Sequence, residues 1–197
     1  MDKDHLLMSR RRFAAGFALG SVALAIPLPL AALTVDEARG LIDKVVKDIN
    51  AIIDSGKSEK QMYGAFEAVF VKYADVSAIA RSALGPPAKK ASAAQMAAFT
   101  KAYQGYISRK YGSRFREFIG GSIEVTDAKP LKSYYEVISV AHLQGQAPFD
   151  LRWHVGDKSG KLLFFNIIIE GVNMLTSERT EIGAMLDKNG GNLDALI

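Results

Sequence analysis

The residues that could carry acid–base chemistry are spread along the sequence without a known catalytic pattern. Two histidines, His142 and His154, follow residue 32, and neither has Cys, Asp or His neighbours at the spacing of metal ligands. The sequence contains no phosphate-binding glycine loop and no Gly-x-Ser-x-Gly motif. A general acid or base could still be recruited from Tyr103, Tyr106, Tyr134, Tyr135 and Asp150. We therefore predict a non-enzymatic protein without metal or cofactor, and acid–base catalysis on a small hydrophobic substrate is the alternative hypothesis.

The other charged residues favour a solvated surface over a nucleic-acid interface. Removing the four basic and two acidic residues before Leu33 lowers the formal net charge from +4 to +2. We interpret the pairs Lys89-Lys90 and Arg109-Lys110 as solvated helix surface, with docking to an anionic membrane or an acidic partner as a weaker alternative. Glu136 and Glu170 are interpreted as surface and strand-end carboxylates.

The first 32 residues have the layout of a secretory signal peptide. A basic stretch ending in Ser9-Arg10-Arg11-Arg12-Phe13 precedes the apolar residues 14–33, and this core matches the twin-arginine export signature. Ordinary secretion is one alternative. An uncleaved membrane anchor is another, although Pro27 and Pro29 interrupt the apolar stretch where a span should continue.

Residues 33–197 have the length of a single domain with one core. Cleavage after Ala32 suits the small residues there, and Ala23-Leu24-Ala25 is a second candidate site. Because the sequence contains no cysteine, a disulfide scaffold and thiol catalysis are excluded. We predict export to the periplasm, where this domain would be stabilised by its core alone.

Capping boxes mark three helix starts in the first half of the domain. Each places Ser or Thr three residues before Glu or Gln, so that both side chains bind free amide groups at the start of the helix, at 34–37, 58–61 and 92–95. A short helix between Asp75 and Gly85 ends before Pro86 and Pro87. With the apolar spacing, these signals predict helices over 35 to about 56, 58–73, 75–85, 93 to about 119, and 177–186.

The apolar pattern changes from helical spacing to alternation after Gly120 and Gly121. It predicts four antiparallel strands, at about 122–127, 134–143, 149–155 and 161–169. The last of these is apolar on both faces except at Asn166, so we expect it to lie centrally in the sheet. We predict an α+β fold in which N-terminal helices pack on a curved four-stranded antiparallel sheet and enclose an apolar cavity.

Short motifs between residues 73 and 196 occur in an order and spacing that are specific when taken together. They include Tyr73-Ala74-Asp75-Val76, Ile79-Ala80-Arg81, Ala83-Leu84-Gly85, Tyr135-Glu136-Val137, Pro148-Phe149, Trp153, Ile167-Ile168-Ile169-Glu170-Gly171-Val172, Arg179 with Glu181, and Asn189-Gly190-Gly191. This set resembles the periplasmic phospholipid-binding component of the Mla transport system, the toluene-tolerance family of ABC transporter auxiliary proteins. The chain departs from that family at 86–89 and at Asn173, which bears on local pocket shape.

The resemblance implies a fold of the nuclear-transport-factor-two type, a cone whose helices and sheet enclose lipid tails. It also implies a carrier that binds phospholipid without a cofactor and moves it between an outer-membrane lipoprotein complex and an inner-membrane ABC transporter complex. Acyl chains need such a carrier to cross an aqueous gap, because each methylene sheltered from water is worth about 0.8 kcal/mol. A hopanoid-type carrier of the same family is an alternative, and a purely structural module with a filled core is another.

Most of the apolar residues are expected to form plain core, and the remainder are expected to line the cavity. The candidate lipid-binding residues are Val69, Phe70, Ile79, Leu84, Phe99, Tyr103, Tyr106, Val137, Phe149, Leu151, Trp153, Phe165, Ile167, Val172 and Met174. Arg81 and Arg179 are head-group candidates, because a guanidinium group matches phosphate geometry. The alternative for both arginines is a salt bridge to Glu170 or Glu181.

Overall fold

The structure, a computed structural model, describes residues 33–112 and 119–197. The predicted signal peptide, 1–32, and the predicted last turns of the fourth helix, 113–118, lie outside the described residues. Within the two described ranges, no helix has both the length and the hydrophobicity needed to cross a bilayer.

Six α-helices and one 3₁₀ turn are described, and most begin at a residue whose side chain caps them. The helices are α1 (Val35–Ile53), α2 (Glu59–Tyr73), α3 (Val76–Leu84), α4 (Ala93–Gly112), α5 (Met174–Lys188) and α6 (Leu193–Leu196), and the 3₁₀ turn is Pro86–Lys89. The predicted capping box of α1 is confirmed, since the Thr34 amide donates to Glu37 and the Glu37 amide donates to the Thr34 hydroxyl. The box at 92–95 is confirmed in the same way at the start of α4. Each such cap is worth about 1 kcal/mol.

Two features of the last helices differ from the sequence prediction. Helix α5 begins at Met174, three residues before the predicted start, because the Asn173 side chain caps it by accepting from the Thr176 amide at 3.2 Å. Helix α6 is a single turn capped by Asn192, too short to give a helical apolar pattern.

The described residues form one antiparallel sheet of five strands in the order β1-β2-β3-β4-β5. The strands are β1 (Ser122–Pro130), β2 (Tyr135–His142), β3 (Phe149–Gly156), β4 (Leu163–Ile169) and β5 (Val172–Asn173). The α+β prediction is confirmed, but the predicted number of strands was wrong by one. Strand β5 has only two residues, which is too few to show alternation.

Strand β4 lies near the sheet edge, so the prediction that it is central was wrong. Beyond it, the described residues contain one further strand, β5, which pairs with Ile168 and Ile169. The earlier part of its edge is covered by the connection between α2 and α3, where the Asp75 amide donates to the Phe164 carbonyl at 2.8 Å. This cover pairs part of the β4 edge, although no full-length strand lies beside it.

The two faces of the sheet differ in chemistry. On the inner face, Val137 lies opposite Trp153, and the Trp153 indole donates to the Ser139 hydroxyl at 3.1 Å. The buried stripe of α1, with Ile42 and Val45 almost fully buried, belongs to the same core as these residues. Burying one such side chain stabilises the fold by about 1.5–3 kcal/mol. The outer face carries Glu136 from β2 and the charged residues Asp150 and Arg152 from β3.

A bulge between β3 and β4 directs two neighbouring phenylalanines to different partners. The pairing shifts between His154 and Val155, so that one residue of β4 is left without an opposite partner. Phe164 packs edge-on against Trp153, with ring centroids 5.3 Å apart. Phe165 packs against Tyr134 and His154. The bulge therefore gives the two neighbouring phenylalanines different aromatic partners.

Candidate functional site

A cavity of about 500 Å³ lies between the helices and the inner face of the sheet. This volume is within the range of sites that enclose small ligands. Its wall is formed by side chains of helices α1 to α5 and of strands β1, β3, β4 and β5. Most of these side chains are apolar. The cavity reaches the surface near the turn between β4 and β5, because the wall residues Gln146, Glu170 and Val172 are exposed.

Eleven of the fifteen predicted lipid-binding residues line this cavity. They are Val69, Phe70, Ile79, Tyr103, Phe149, Leu151, Trp153, Phe165, Ile167, Val172 and Met174. Alternation along the third strand places Leu151 and Trp153 on the same face, and both are buried there. Contact between these side chains and a lipid stays a prediction.

The structure places the other four predicted residues outside the cavity wall. Val137 is fully buried in the core, and Leu84 is 3% exposed. Phe99 lies behind Tyr103, with their rings stacked at 5.8 Å. Tyr106 turns to the α4–α5 interface, where its hydroxyl donates to Glu181. These four residues pack or hydrogen-bond between elements instead of facing the cavity.

The sequence analysis missed the part of the wall that α1 provides. Val45 and Ile49 line the cavity, although their helical spacing resembles that of ordinary core residues. It also missed several polar wall residues, among them Ser108, Tyr111 and Glu178. Spacing identifies a buried helix face, but it does not show whether that face meets a side chain or an open space.

A network of charged and phenolic groups joins α4 to α5 at one side of the cavity. Glu178 is only 3% exposed, and its Oε1 accepts from Lys110 Nζ at 2.7 Å and from the Tyr111 hydroxyl. Lys110 also donates to Glu181, which accepts from Tyr106 as well. The interpretation of Lys110 as solvated surface was therefore wrong, because its ammonium group bridges two helices.

The network fixes which of these groups are charged. Burial acts to lower the pKa of Lys110, but its hydrogen bonds to Glu178 and Glu181 outweigh burial and raise that pKa. Hydrogen bonds from Lys110 and Tyr106 lower the pKa of Glu181. Burial, with the bond to Glu181, raises the pKa of Tyr106 to about 12. At neutral pH Lys110 is cationic and Tyr106 is a proton donor, so this tyrosine does not act as a base.

Arg81 and Arg179 connect helices and lie outside the cavity wall. Arg179 donates to the Ser82 carbonyl at 2.8 Å and to the Ser82 hydroxyl at 3.0 Å, which ties α5 to α3. Arg81 donates to the Ala88 carbonyl at 3.4 Å. Neither forms an ion pair with Glu170 or Glu181 in the described part of the chain. The structure therefore gives both arginines bonds to other helices, where the sequence suggested a phosphate or a carboxylate.

A second charged group occupies the outer face of the sheet. Glu136 is 7% exposed, which corrects its interpretation as a surface carboxylate. Its Oε1 lies 3.0 Å from Lys129 and 3.5 Å from Arg152, and its Oε2 lies 3.7 Å from His154 Nε2. The other ring nitrogen of His154 lies 3.3 Å from the Asn166 amide. Burial lowers the pKa of His154, so at neutral pH this ring is uncharged.

The residues of the acid–base hypothesis do not come together. Tyr103 and Tyr106 belong to α4, whereas Tyr134 packs against His154, with ring centroids 4.6 Å apart. The Tyr135 hydroxyl donates to the Leu33 carbonyl, and Asp150 is exposed. No cluster of three His, Cys, Asp or Glu side chains suited to a metal ion occurs in residues 33–112 and 119–197.

A family model described as "MlaC protein" matches residues 41–197. A solved structure of a phospholipid-binding protein from Ralstonia solanacearum, in complex with a phospholipid, is similar over 81% of this chain and 94% of its own length. The TM-score is 0.69 and the sequence identity is 16%, a likeness that shows a shared fold.

Proposed function

The chain belongs to the MlaC family, and on that premise we propose that it is a lipid carrier that encloses phospholipid acyl chains in its cavity. One observation carries this proposal. An apolar cavity of about 500 Å³ lies between the helices and the sheet and opens at the surface beside Val172. A filled core would leave no room for a chain, and a closed cavity would offer no entry.

The chemistry of the wall suits hydrocarbon. Aromatic and branched side chains such as Phe70, Leu151 and Ile167 face the space, so a lipid tail replaces water there without losing hydrogen bonds. Each methylene transferred is worth about 0.8 kcal/mol, so a chain of ordinary length gains several kcal/mol. The structural neighbour with a bound phospholipid supports the same use of the fold.

The mouth provides a place for a polar head group. Val172 is 54% exposed, and Gln146 and Glu170 are exposed beside it, so a ligand can keep its polar end in water while its tails lie inside. This division matches the two-part chemistry of a phospholipid. It requires no catalytic group, and we propose a binding protein rather than an enzyme.

We also propose a wider role, suggested by the family and by the sequence of residues 1–32. We expect export to the periplasm, and exchange of lipid with an inner-membrane ABC transporter complex and an outer-membrane lipoprotein complex. A carrier of this kind is useful where an aqueous gap separates two membranes. Arg81 and Arg179 stay proposed head-group contacts that would have to exchange their present bonds.

Native mass spectrometry of the exported protein tests lipid binding, with two neighbouring residues as a matched pair. Ile167 lines the cavity, whereas Ile168 follows it on the same strand and faces the outer side of the sheet. We expect Ile167→Trp to fill part of the cavity and to lower lipid occupancy at least tenfold, and Ile168→Trp to keep the wild-type occupancy.

Analysis of the lipids that are carried would also assign their class. Recovery of phospholipid supports the proposal, and recovery of hopanoids would replace it with the alternative of the same family. Folded wild-type protein that never carries lipid, even after incubation with phospholipid vesicles, would overturn it.

A further inference from the structure

Residues 170–175, which we call the mouth segment, form one side of the entrance to the cavity. Val172, Met174 and Leu175 line the cavity, and Val172 is 54% exposed. Two pairs of strand residues join the segment to β4. Glu170, at its start, has a φ of +49°, a left-handed backbone conformation that is unfavourable for a residue with a side chain. A short, strained segment of this kind depends on further bonds to hold it in place.

One side chain of β4 supplies such a bond. Asn166 is 6% exposed, and its Oδ1 accepts from the Leu175 amide at 3.2 Å. This amide lies in the first turn of α5, where backbone N–H groups have no acceptor within the helix. Asn166 therefore pairs a donor that the helix itself cannot pair, and it fixes the start of α5 to β4.

The bond to Leu175 also determines the state of the buried His154 ring. Because a backbone N–H can only donate, Asn166 must turn its oxygen to Leu175 and its NH₂ group to His154, where Nδ2 lies 3.3 Å from Nδ1. The NH₂ group can also only donate, so Nδ1 must accept, and the ring carries its hydrogen on Nε2. Nε2 lies 3.7 Å from Glu136 Oε2. Hydrogen bonds thus lead from His154 through Asn166 to the mouth segment.

We infer that a proton taken up by His154 loosens the mouth segment and speeds the release of lipid, with Asn166 as the positioning residue between them. The inference rests on the proposed lipid-binding function. A protonated ring carries hydrogen on both nitrogens, so Nδ1 can no longer accept from Asn166. If Asn166 rotates to turn its oxygen to the ring, its NH₂ group faces the Leu175 amide, and two donors oppose each other. In either orientation one bond of the chain is lost.

The surroundings of His154 set the pH at which this happens. Glu136 of β2 lies beside the ring and is itself approached by Lys129 of β1 and Arg152 of β3. Tyr134, in the turn before β2, packs against the ring. Burial lowers the pKa of His154 below its ordinary value of 6.5, and the charge of Glu136 opposes that shift. The ring is therefore expected to take up its proton below about pH 6.5.

Release of a pyrene-labelled phosphatidylcholine from loaded, exported protein tests the inference. The probe passes into phosphatidylcholine vesicles that contain a quencher, and its charge is constant between about pH 7.5 and pH 5. We expect the release rate of the wild type to rise about fivefold over this range, the effect of losing one hydrogen bond between neutral groups. The range stops above the ordinary carboxyl pKa of 4.5, so that Glu181 stays charged.

Two substitutions separate this route from general effects of acid. His154→Gln removes the group that takes up the proton and should make release independent of pH. Asn166→Asp supplies a carboxylate that accepts from a protonated ring and from the Leu175 amide at the same time, so release should stay slow in acid. His142→Gln, a change at an exposed position, is the matched control and should keep the wild-type dependence.

Amide hydrogen exchange of lipid-free protein gives a second readout that needs no ligand. After correction for intrinsic exchange rates, peptides that cover the mouth segment should lose protection between about pH 7.5 and pH 5 in the wild type. The same peptides should keep their protection in Asn166→Asp. Peptides from α1 should keep it in both proteins and serve as the internal reference.

Three outcomes would overturn the inference. Equal release rates and equal protection at both pH values would show that the proton on His154 does not act on the mouth segment. Acceleration by acid in His154→Gln would place the responsible proton elsewhere. The same acceleration in Asn166→Asp would exclude Asn166 as the connection. Folded protein that never takes up the probe would instead contradict the proposed function, and hydrogen exchange would still decide whether the mouth segment responds to acid.

Discussion

Two buried glutamates, one on each side of the sheet, have opposite environments. Glu136 on the outer face is approached by the cations Lys129 and Arg152, and the His154 ring lies 3.7 Å from it. Glu178, beside the cavity, is held through one oxygen, and its other oxygen has no partner among the described residues.

The difference separates a carboxylate whose two oxygens both have polar neighbours from one that is held through a single oxygen. The cations around Glu136 are 46% and 40% exposed, so water as well as Glu136 stabilises them. Lys110 beside Glu178 is only 28% exposed, and the unpaired oxygen of Glu178 is buried. A buried charge that is only half satisfied costs stability unless something else completes it.

The largest expected change in stability comes from removing the charges of Glu178 and Glu136 one at a time. Glu178→Gln should lower the free energy of unfolding by about 2–3 kcal/mol, because Lys110 loses a buried ionic partner. Glu136→Gln should cost less than about 1 kcal/mol, because its cationic partners remain solvated. Urea unfolding of delipidated protein measures both. Equal losses would remove the distinction between the two sites.

Two tyrosines should give effects of opposite sign. Tyr103→Phe removes a buried hydroxyl without a described partner and should stabilise lipid-free protein by about 1 kcal/mol. Tyr73→Phe removes a hydroxyl that donates to Asp48 at 2.8 Å and should destabilise the protein by about 1 kcal/mol. Thermal unfolding of the two variants gives the comparison. A loss of stability in Tyr103→Phe would mean that water already satisfies this hydroxyl.

The smallest expected effect is the pH dependence of stability that comes from His154 on the outer face of the sheet. Burial lowers the pKa of His154 in the folded state below its ordinary value of 6.5, so the unfolded chain binds the proton more readily. Stability should therefore fall as pH drops below about 6.5, by at most about 1.4 kcal/mol per pH unit. The charge of Glu136 opposes the shift and limits the loss.

His154→Gln should flatten this dependence between about pH 7 and pH 5, and His142→Gln, a change at an exposed position, should not. The lowered pKa of Glu181 acts in a separate window, because its stabilisation is lost only as pH falls below the ordinary carboxyl value of 4.5. If stability still fell with pH as steeply in His154→Gln as in the wild type, the pH dependence could not be assigned to His154.

Much of the fold could be predicted because its signals are local. The capping residues Thr34 and Ser92 start helices by bonds to residues three positions away, and alternation in β3 places Leu151 and Trp153 on one face. Strand β5 and the edge position of β4 could not be predicted. Both depend on which distant segment pairs with β4, and its own residues do not specify that.

The candidate site divides in the same way. Its apolar wall could be predicted in large part, because hydrophobic residues on a known face must be buried. The polar residues of the wall could not be predicted from the sequence. Lys110 and Glu178 are 68 positions apart, and each alone has the appearance of a helix-surface residue. Their burial depends on the packing of α4 against α5, a long-range contact that helical periodicity does not record.

Trp153 gives the cavity an optical signal of its own. It is the single tryptophan of the sequence, it is 3% exposed, and it lines the cavity with its indole bonded to Ser139. Indole emission depends on the polarity around the ring, so filling or emptying the cavity changes the fluorescence of unmodified protein. Exchange of ligand with a membrane could thus be followed in real time, without a label that would itself occupy the cavity.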